Sequence, residues 1–132
     1  MTPHRIVTAP DLAPPVGFAH AVVAAPGHMV HLGGQTAQDH TGAIVGTTMP
    51  EQFDQAAANV TAALRAAGAR PEHLVSLTIY VTDVPAYRAA LTELGPLWRK
   101  HFGRHYPAVA LIGVQALFDT TALIELVGSA VV

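Results

Sequence analysis

The sequence predicts an α+β domain in which helices cover one face of a mixed β-sheet. Two segments repeat apolar residues at helical spacing, and other segments alternate apolar and more polar residues as strands do. The chain has 132 residues, so we expect a single domain over residues 1–132 with one core. The predicted order of elements is strand, strand, helix, strand, helix, strand, strand.

The first two strands are predicted between Val16 and Leu32 as a hairpin. β-Prone residues lie on both sides of the Pro26-Gly27 pair, which is typical of turns. The proline-rich segment 9–15 precedes them, and we expect it to be a loop.

The first predicted helix has well-marked limits. Thr48 and Glu51 have the spacing of a capping box, Pro50 lies in the first turn where its missing N–H is tolerated, and Gly68 is a stop signal. One narrow apolar stripe follows helical spacing between them: Phe53, Ala56, Ala57, Val60, Ala63, Leu64 and Ala67. We expect this stripe of mostly small side chains to lie flat on the sheet.

A third strand and a second helix follow. The strand is predicted from the alternation of Val75, Leu77, Ile79 and Val81 with more polar residues. The helix is expected to be capped by Asp83, to be kinked or interrupted at Gly95-Pro96, and to end near Gly103. Its apolar side consists of Tyr87, Leu91, Leu94 and Trp98.

The last third of the chain holds two more predicted strands, residues 106–115 and 122–132. Both faces of the first are apolar, with Ala108, Ala110, Ile112 and Val114 on one and Val109, Leu111 and Gly113 on the other. One layer of helices covers only one face of a sheet, so we expect the second face to meet another subunit or to close a barrel.

Composition excludes several classes of function. The net charge is -2 and no basic run is present, so nucleic-acid binding is not expected. Charged residues make up only 12% of the chain, about half the usual fraction, yet the longest apolar stretch, 106–118, is shorter than the roughly 20 residues of a membrane-spanning helix. With no membrane segment and no secretory signal, we expect a soluble cytoplasmic protein whose surplus apolar surface forms a subunit interface.

Glu125 is the first candidate for chemistry. It lies in the apolar run Ala122 to Val127, where a carboxylate can serve as a general acid or base if it opens onto a cleft. A solvent-facing position on an edge strand, or a pair with an arginine, is the alternative. The Gly33-Gly34-Gln35 run is the second candidate, because backbone N–H groups of glycines can approach a ligand closely, although a simple tight loop would look the same.

Metal-dependent and nucleophilic chemistry are not expected. His101 and His105 are separated by Gly103 at a predicted helix end, and no glutamate follows His101 as the zinc-protease motif requires. Cysteine is absent, and neither Ser76 nor Ser129 lies in a nucleophile elbow. We therefore expect no metal and no cofactor.

An ordered set of short motifs resembles the Rid (YjgF-like) reactive-intermediate deaminases. The set runs nearly the whole chain: Gly33-Gly34-Gln35, Gly42 before Ile44-Val45-Gly46, Gln52 and Asn59, Ala67-Gly68, Thr78 to Asp83, Tyr106-Pro107-Ala108, and Ala122 to Glu125. The resemblance implies a chorismate-mutase-like fold and a homotrimer with a barrel-like core and clefts between subunits. It also implies that Glu125 positions water and that Phe18, Gly33, Gly34, Tyr106, Val109 and Leu111 surround a small-molecule ligand.

The sequence departs from the family pattern at the ligand site. Val109 occupies the position of the arginine that holds a substrate carboxylate, Phe18 that of a tyrosine, and Gly33 that of a frequent serine. The resemblance therefore implies a divergent enzyme that hydrolyses an uncharged or differently anchored imine, enamine or related unsaturated small molecule. Arg104 and His105 are an alternative anchor for that substrate, or simply a solvated helix end. A trimeric protein that binds a metabolite without converting it, and a chaperone-like trimer, are the other hypotheses.

Overall fold

Six strands and three α-helices follow one another in the computed structural model, which describes residues 1–132. The strands are β1 (Arg5–Val7), β2 (Ala21–Val23), β3 (Met29–His31), β4 (Leu74–Val81), β5 (Ala108–Gly113) and β6 (Ile124–Val131). The helices are α1 (Met49–Ala66), α2 (Val84–Ala89) and α3 (Leu91–Phe102), and a short 3-10 helix, Pro71–His73, precedes β4. The predicted α+β class is confirmed, with three helices in place of the two predicted. None of these helices has the length and apolar character to cross a membrane.

The main sheet is mixed and has the order β3-β6-β4-β5. Strands β4 and β5 are parallel, whereas β6 is antiparallel to both of its neighbours. The predicted hairpin before Leu32 is wrong, because β2 pairs with the unpredicted strand β1 and β3 pairs with β6. Strand β6 offers β3 a long partner, and the pairing continues in two backbone hydrogen bonds between His28 and Val132, of 2.7 and 3.0 Å. A remote partner therefore replaces the local one that the turn signal suggested.

Helix α1 begins and ends where the sequence predicts. The Thr48 hydroxyl accepts the Glu51 N–H at 3.3 Å, and the Glu51 carboxylate accepts the Thr48 N–H at 3.1 Å. At the other end Gly68 has a φ of +77°, and the next N–H, of Ala69, reaches the Leu64 carbonyl at 2.8 Å. The predicted stripe is buried against the sheet except for the partly buried Ala63 and for Ala67, which is exposed as the cap.

The second predicted helix divides into α2 and α3 at Ala90, not at Gly95-Pro96. Asp83 caps α2 as predicted, since its carboxylate accepts the Ala86 N–H at 3.0 Å. Pro96 lies inside α3 on the exposed side, where water can satisfy the Thr92 carbonyl that loses its helical partner. Helix α3 ends before Gly103, which has a φ of +66°.

The helices cover one face of the main sheet and leave the other open. A bulge near Val75 puts Leu74 in the core and leaves Val75 only partly buried, which corrects the predicted alternation at the start of β4. From there Leu77 and Ile79 face the helices together with Leu126. The residues that alternate with these core residues along the strands point to the opposite side of the sheet, which we call the open face. They are Ser76, Thr78 and Tyr80 of β4, Ala108, Ala110 and Ile112 of β5, and Glu125, Val127 and Ser129 of β6. That this face meets another subunit stays a prediction.

Candidate functional site

Glu125 lies on the open face, half-buried between two buried neighbours. Ile124 and Leu126 point into the core beneath the helices, so the alternation of β6 places the Glu125 side chain on the opposite face. Tyr80 of β4 is its direct cross-strand partner. The alternative that Glu125 pairs with an arginine is not borne out, because the salt bridges within the chain involve Glu72 and Asp54 and not Glu125. The carboxylate is therefore available to a ligand.

The Gly34 backbone packs directly against the Glu125 carboxylate. A Cβ atom built on Gly34 would overlap that carboxylate and lie 2.9 Å from its Cδ atom, whereas the same construction at Gly33 meets nothing within 4 Å. Two backbone hydrogen bonds of 2.8 Å between Gln35 and Leu126 hold the glycine run in this register. Glycine at position 34 is thus required by close approach, and Gly33 is not subject to that constraint.

Four of the other predicted site residues line a separate pocket on the helix side of the sheet. Phe18, Tyr106, Val109 and Leu111 share this cavity of about 390 Å³. We call it the helix-side pocket, and its remaining walls are Val16, Gly17, Phe53, Ile79, Tyr87, Leu91, Leu94, Gly95 and Trp98. A hydrogen bond of 3.0 Å from the Ala19 N–H to the Pro107 carbonyl ties the loop that carries Phe18 to the start of β5.

Aromatic rings form the floor of the helix-side pocket. The Trp98 ring stacks on Tyr106 with centroids 5.7 Å apart and planes inclined by 6°, and it lies 6.4 Å from the Phe53 ring. Its indole N–H donates to the His105 carbonyl at 3.1 Å and so is not free for a ligand. Burial raises the pKa of the Tyr87 phenol above its ordinary value of 10.0, which keeps this hydroxyl protonated at neutral pH.

The sheet separates these two groups of predicted residues within one chain. Val109 is paired with Leu77, whose side chain points toward the helices, whereas Glu125 is paired with Tyr80 on the open face. The structure thus brings Glu125 together with Gly34, and separately brings the four pocket residues together. No pocket within one chain contains all the predicted site residues.

The helical wall of the pocket was not predicted from the sequence. Tyr87, Leu91, Leu94 and Trp98 were grouped on one side of the second helix, but no ligand site was assigned to that side. The signal for a pocket was weak, since an apolar helix face against a sheet has the same pattern whether the space between them is filled or open.

Two histidines among the remaining candidates make hydrogen bonds within the chain, whereas Arg104 is exposed. The His105 ring donates to the Leu74 carbonyl at 2.8 Å, and burial lowers the pKa of this imidazole. That Arg104 or His105 anchors a ligand stays a prediction. The His101 ring donates to Asp54 at 2.6 Å, and this hydrogen bond is the main reason that the pKa of Asp54 is lowered. Lys100 contacts the same carboxylate at 2.9 Å. Lys100 lies in the last turn of α3, where its positive charge balances the helix dipole.

Comparisons with known proteins identify the family. A family model described as endoribonuclease L-PSP matches residues 8–132. The solved structure of YyfB from Yersinia pestis, described as a member of the conserved Rid protein family, has a TM-score of 0.87 and 34% identity over 98% of both chains. The chain belongs to the Rid family. The predicted resemblance is therefore confirmed.

Two further relatives are a solved structure and a curated deaminase. Rv2704 from Mycobacterium tuberculosis, a member of the YjgF/YER057c/UK114 family, is 30% identical with a TM-score of 0.66, over 89% of this chain and 88% of its own. A 2-iminobutanoate/2-iminopropanoate deaminase from Dermatophagoides farinae is 29% identical over 122 residues, which cover 89% of this chain and 88% of the relative. One relative of this chain is thus named as a deaminase of 2-iminobutanoate and 2-iminopropanoate.

Proposed function

We propose that this Rid-family protein is a deaminase-type hydrolase that acts on an imine or enamine and uses Glu125 as its acid and base. The observation that carries the proposal is the Glu125 carboxylate, which packs on the Gly34 backbone and is accessible on the open face. The deaminase among its relatives supports the reaction class.

The proposed reaction needs one group that both takes and gives a proton. Water adds to the carbon of the C=N bond, and Glu125 removes a proton from that water and delivers it to the nitrogen. Glu125 then moves the hydroxyl proton of the resulting carbinolamine to its nitrogen, and the C–N bond breaks to release ammonia and leave a carbonyl compound. An enamine substrate first takes a proton on carbon and gives up a proton from nitrogen, which converts it to the imine. A single carboxylate is sufficient for these transfers, because each proton it accepts is returned.

The proposed active site lies between subunits of a homotrimer. The sheet separates Glu125 from the helix-side pocket of the same chain. If the open face of a second copy packs near edge strand β5 of the first copy, Glu125 of the second copy is supplied to the helix-side pocket of the first. The half-exposed Ile112 and the small Ala110 give this face an apolar surface for such packing. Three copies arranged in this way would form a barrel-like core. Light scattering coupled to size exclusion tests the trimer, and Ile112→Asp is expected to dissociate it.

The test of function is ammonia release from imines generated in situ, measured above their spontaneous hydrolysis. The panel contains neutral and carboxylated imines of similar size. We expect Glu125→Gln to lower turnover by about 10²-fold or more, as loss of a general acid and base does. Glu93→Gln, which makes the same change at an exposed position of α3, is the matched control and should retain full turnover. Wild-type rates equal to background, or equal rates for Glu125→Gln, would refute the proposal.

A trimer that binds a metabolite without converting it is the second candidate function. The apolar helix-side pocket, in which Val109 replaces the arginine expected from the family resemblance, favours it. Saturable binding that Glu125→Gln leaves unchanged, with no product formed, would support this alternative.

A further inference from the structure

We propose that the helix-side pocket selects an uncharged ligand with a flat or aliphatic apolar body and one hydrogen-bond-accepting group. Its role as the substrate-recognition half of the active site rests on the proposed function. The preference for an uncharged ligand follows from the pocket alone and is tested separately.

The walls of the helix-side pocket carry no charged side chain. Every lining residue is apolar, aromatic or glycine. Val109 stands in the sheet wall, so the β5 residue that faces the ligand space offers methyl groups only. A carboxylate placed here would lose hydration without gaining a cation, which is strongly unfavourable. An amide, imine or carbonyl group of the same shape loses much less on transfer.

The helix-side pocket has the size and flat wall of a small-molecule site. A volume of about 390 Å³ lies in the range of small-molecule sites. The stacked Trp98 and Tyr106 rings give one flat wall, with planes only 6° apart. Leu91 and Leu111 add aliphatic surface. Such walls favour a ring or a short branched chain, because both bury area against a flat surface with little loss of conformational freedom.

Few polar side-chain atoms line the helix-side pocket. Because the Trp98 N–H already donates within the chain, Tyr87 and Tyr106 carry the pocket's remaining polar side-chain atoms. The Tyr87 side chain is half-buried, and its phenol is protonated at neutral pH because desolvation raises its pKa. A protonated phenol in an apolar wall donates a hydrogen bond, so the complementary ligand group is a neutral acceptor.

The probes are 3-phenylpropanamide and 3-phenylpropanoate, which have the same shape and differ in charge. Trp98 is the single tryptophan of the chain and lines the pocket, so its fluorescence reports binding, and calorimetry gives the affinity. We expect the amide to bind at least ~10-fold more tightly at neutral pH, a difference of about 1.4 kcal/mol. Val109→Arg should reverse the order, whereas Val109→Met, which adds length without charge, should keep it.

A second variant tests the polar contact. Tyr87→Phe should weaken amide binding about fivefold, the usual effect of one neutral hydrogen bond, and should leave the affinity for propylbenzene unchanged. Equal or tighter binding of the carboxylate by the wild type, or no binding of either probe, would overturn the inference.

The outcomes also separate this inference from the proposed function. Selective binding of the amide by a protein that turns over no imine would leave the inference standing and refute the enzyme. Glu125-dependent turnover of carboxylated imines in preference to neutral ones would confirm the enzyme and refute the neutral selectivity.

Discussion

Replacing the buried Gln52 of α1 with leucine should destabilise the protein more than the same change at the partly exposed Gln55. The Gln52 side chain is 1% exposed and makes three hydrogen bonds to backbone groups of two remote loops. Its Nε2 donates to the carbonyls of Gly46 at 3.1 Å and Thr121 at 2.9 Å, and its Oε1 accepts the Leu123 N–H at 2.7 Å. This one amide therefore joins α1 to the loop that follows the glycine run and to the start of β6.

The magnitude follows from counting those bonds. Each contributes about 1 kcal/mol net, and leucine leaves three backbone groups without their partner in a site that excludes water, so we expect a loss of about 3 kcal/mol in the free energy of unfolding. Apolar burial of the leucine offsets part of this cost. For a chain of this size the loss corresponds to about 10 °C in Tm.

Urea unfolding followed by circular dichroism measures the effect at one fixed protein concentration, because association shifts apparent stability. Gln55→Leu on the same helix is the matched control. The Gln55 amide donates to the Asn59 side chain at 2.9 Å at a partly exposed position, so its loss should cost less than about 1 kcal/mol. Equal destabilisation by the two variants would refute the reasoning that burial and backbone partners make Gln52 decisive.

Two further predictions concern the site and the pH dependence of stability. Gly34→Ala should displace the Glu125 carboxylate and lower turnover by about 10²-fold. It should change the free energy of unfolding by only about 1 kcal/mol, because the Glu125 side chain can rotate away. Gly33→Ala, which has open space at its Cβ, should behave as wild type in both assays. Burial lowers the pKa of His105 in the folded protein below its ordinary 6.5, so the unfolded chain binds the proton first and stability should fall as pH drops below about 6.5. His105→Gln should reduce the difference between urea midpoints at pH 7.5 and 5.5, and an unchanged difference would contradict this assignment.

Local signals predicted those parts of the fold that depend on neighbours in sequence. The capping box at Thr48, the stop at Gly68 and the cap at Asp83 are each made of residues within a few positions of one another, and each was predicted correctly. The hairpin was predicted wrongly for the same reason, because the turn signal at Pro26-Gly27 says nothing about a stronger partner near the carboxyl terminus.

Part of the candidate site could likewise be predicted from the sequence, and part could not. Glu125 could be selected from sequence, since an ionisable residue in an apolar strand is conspicuous wherever that strand lies. Its contact with Gly34 could not, because it depends on the pairing of Gln35 with Leu126 across the sheet. The pocket was equally hidden, since an apolar helix face against a sheet has the same pattern over a filled core and over a cavity.

By itself the sequence determined the class of fold, both ends of α1 and the start of α2, the family resemblance and the residue most suited to proton transfer, because composition, spacing and caps are properties of short segments. Only the tertiary structure decided which strands pair, which face of the sheet stays open, and that Glu125 and Val109 lie on opposite faces. Strand pairing joins residues far apart in the chain, and a shift of one residue in register would exchange the two faces.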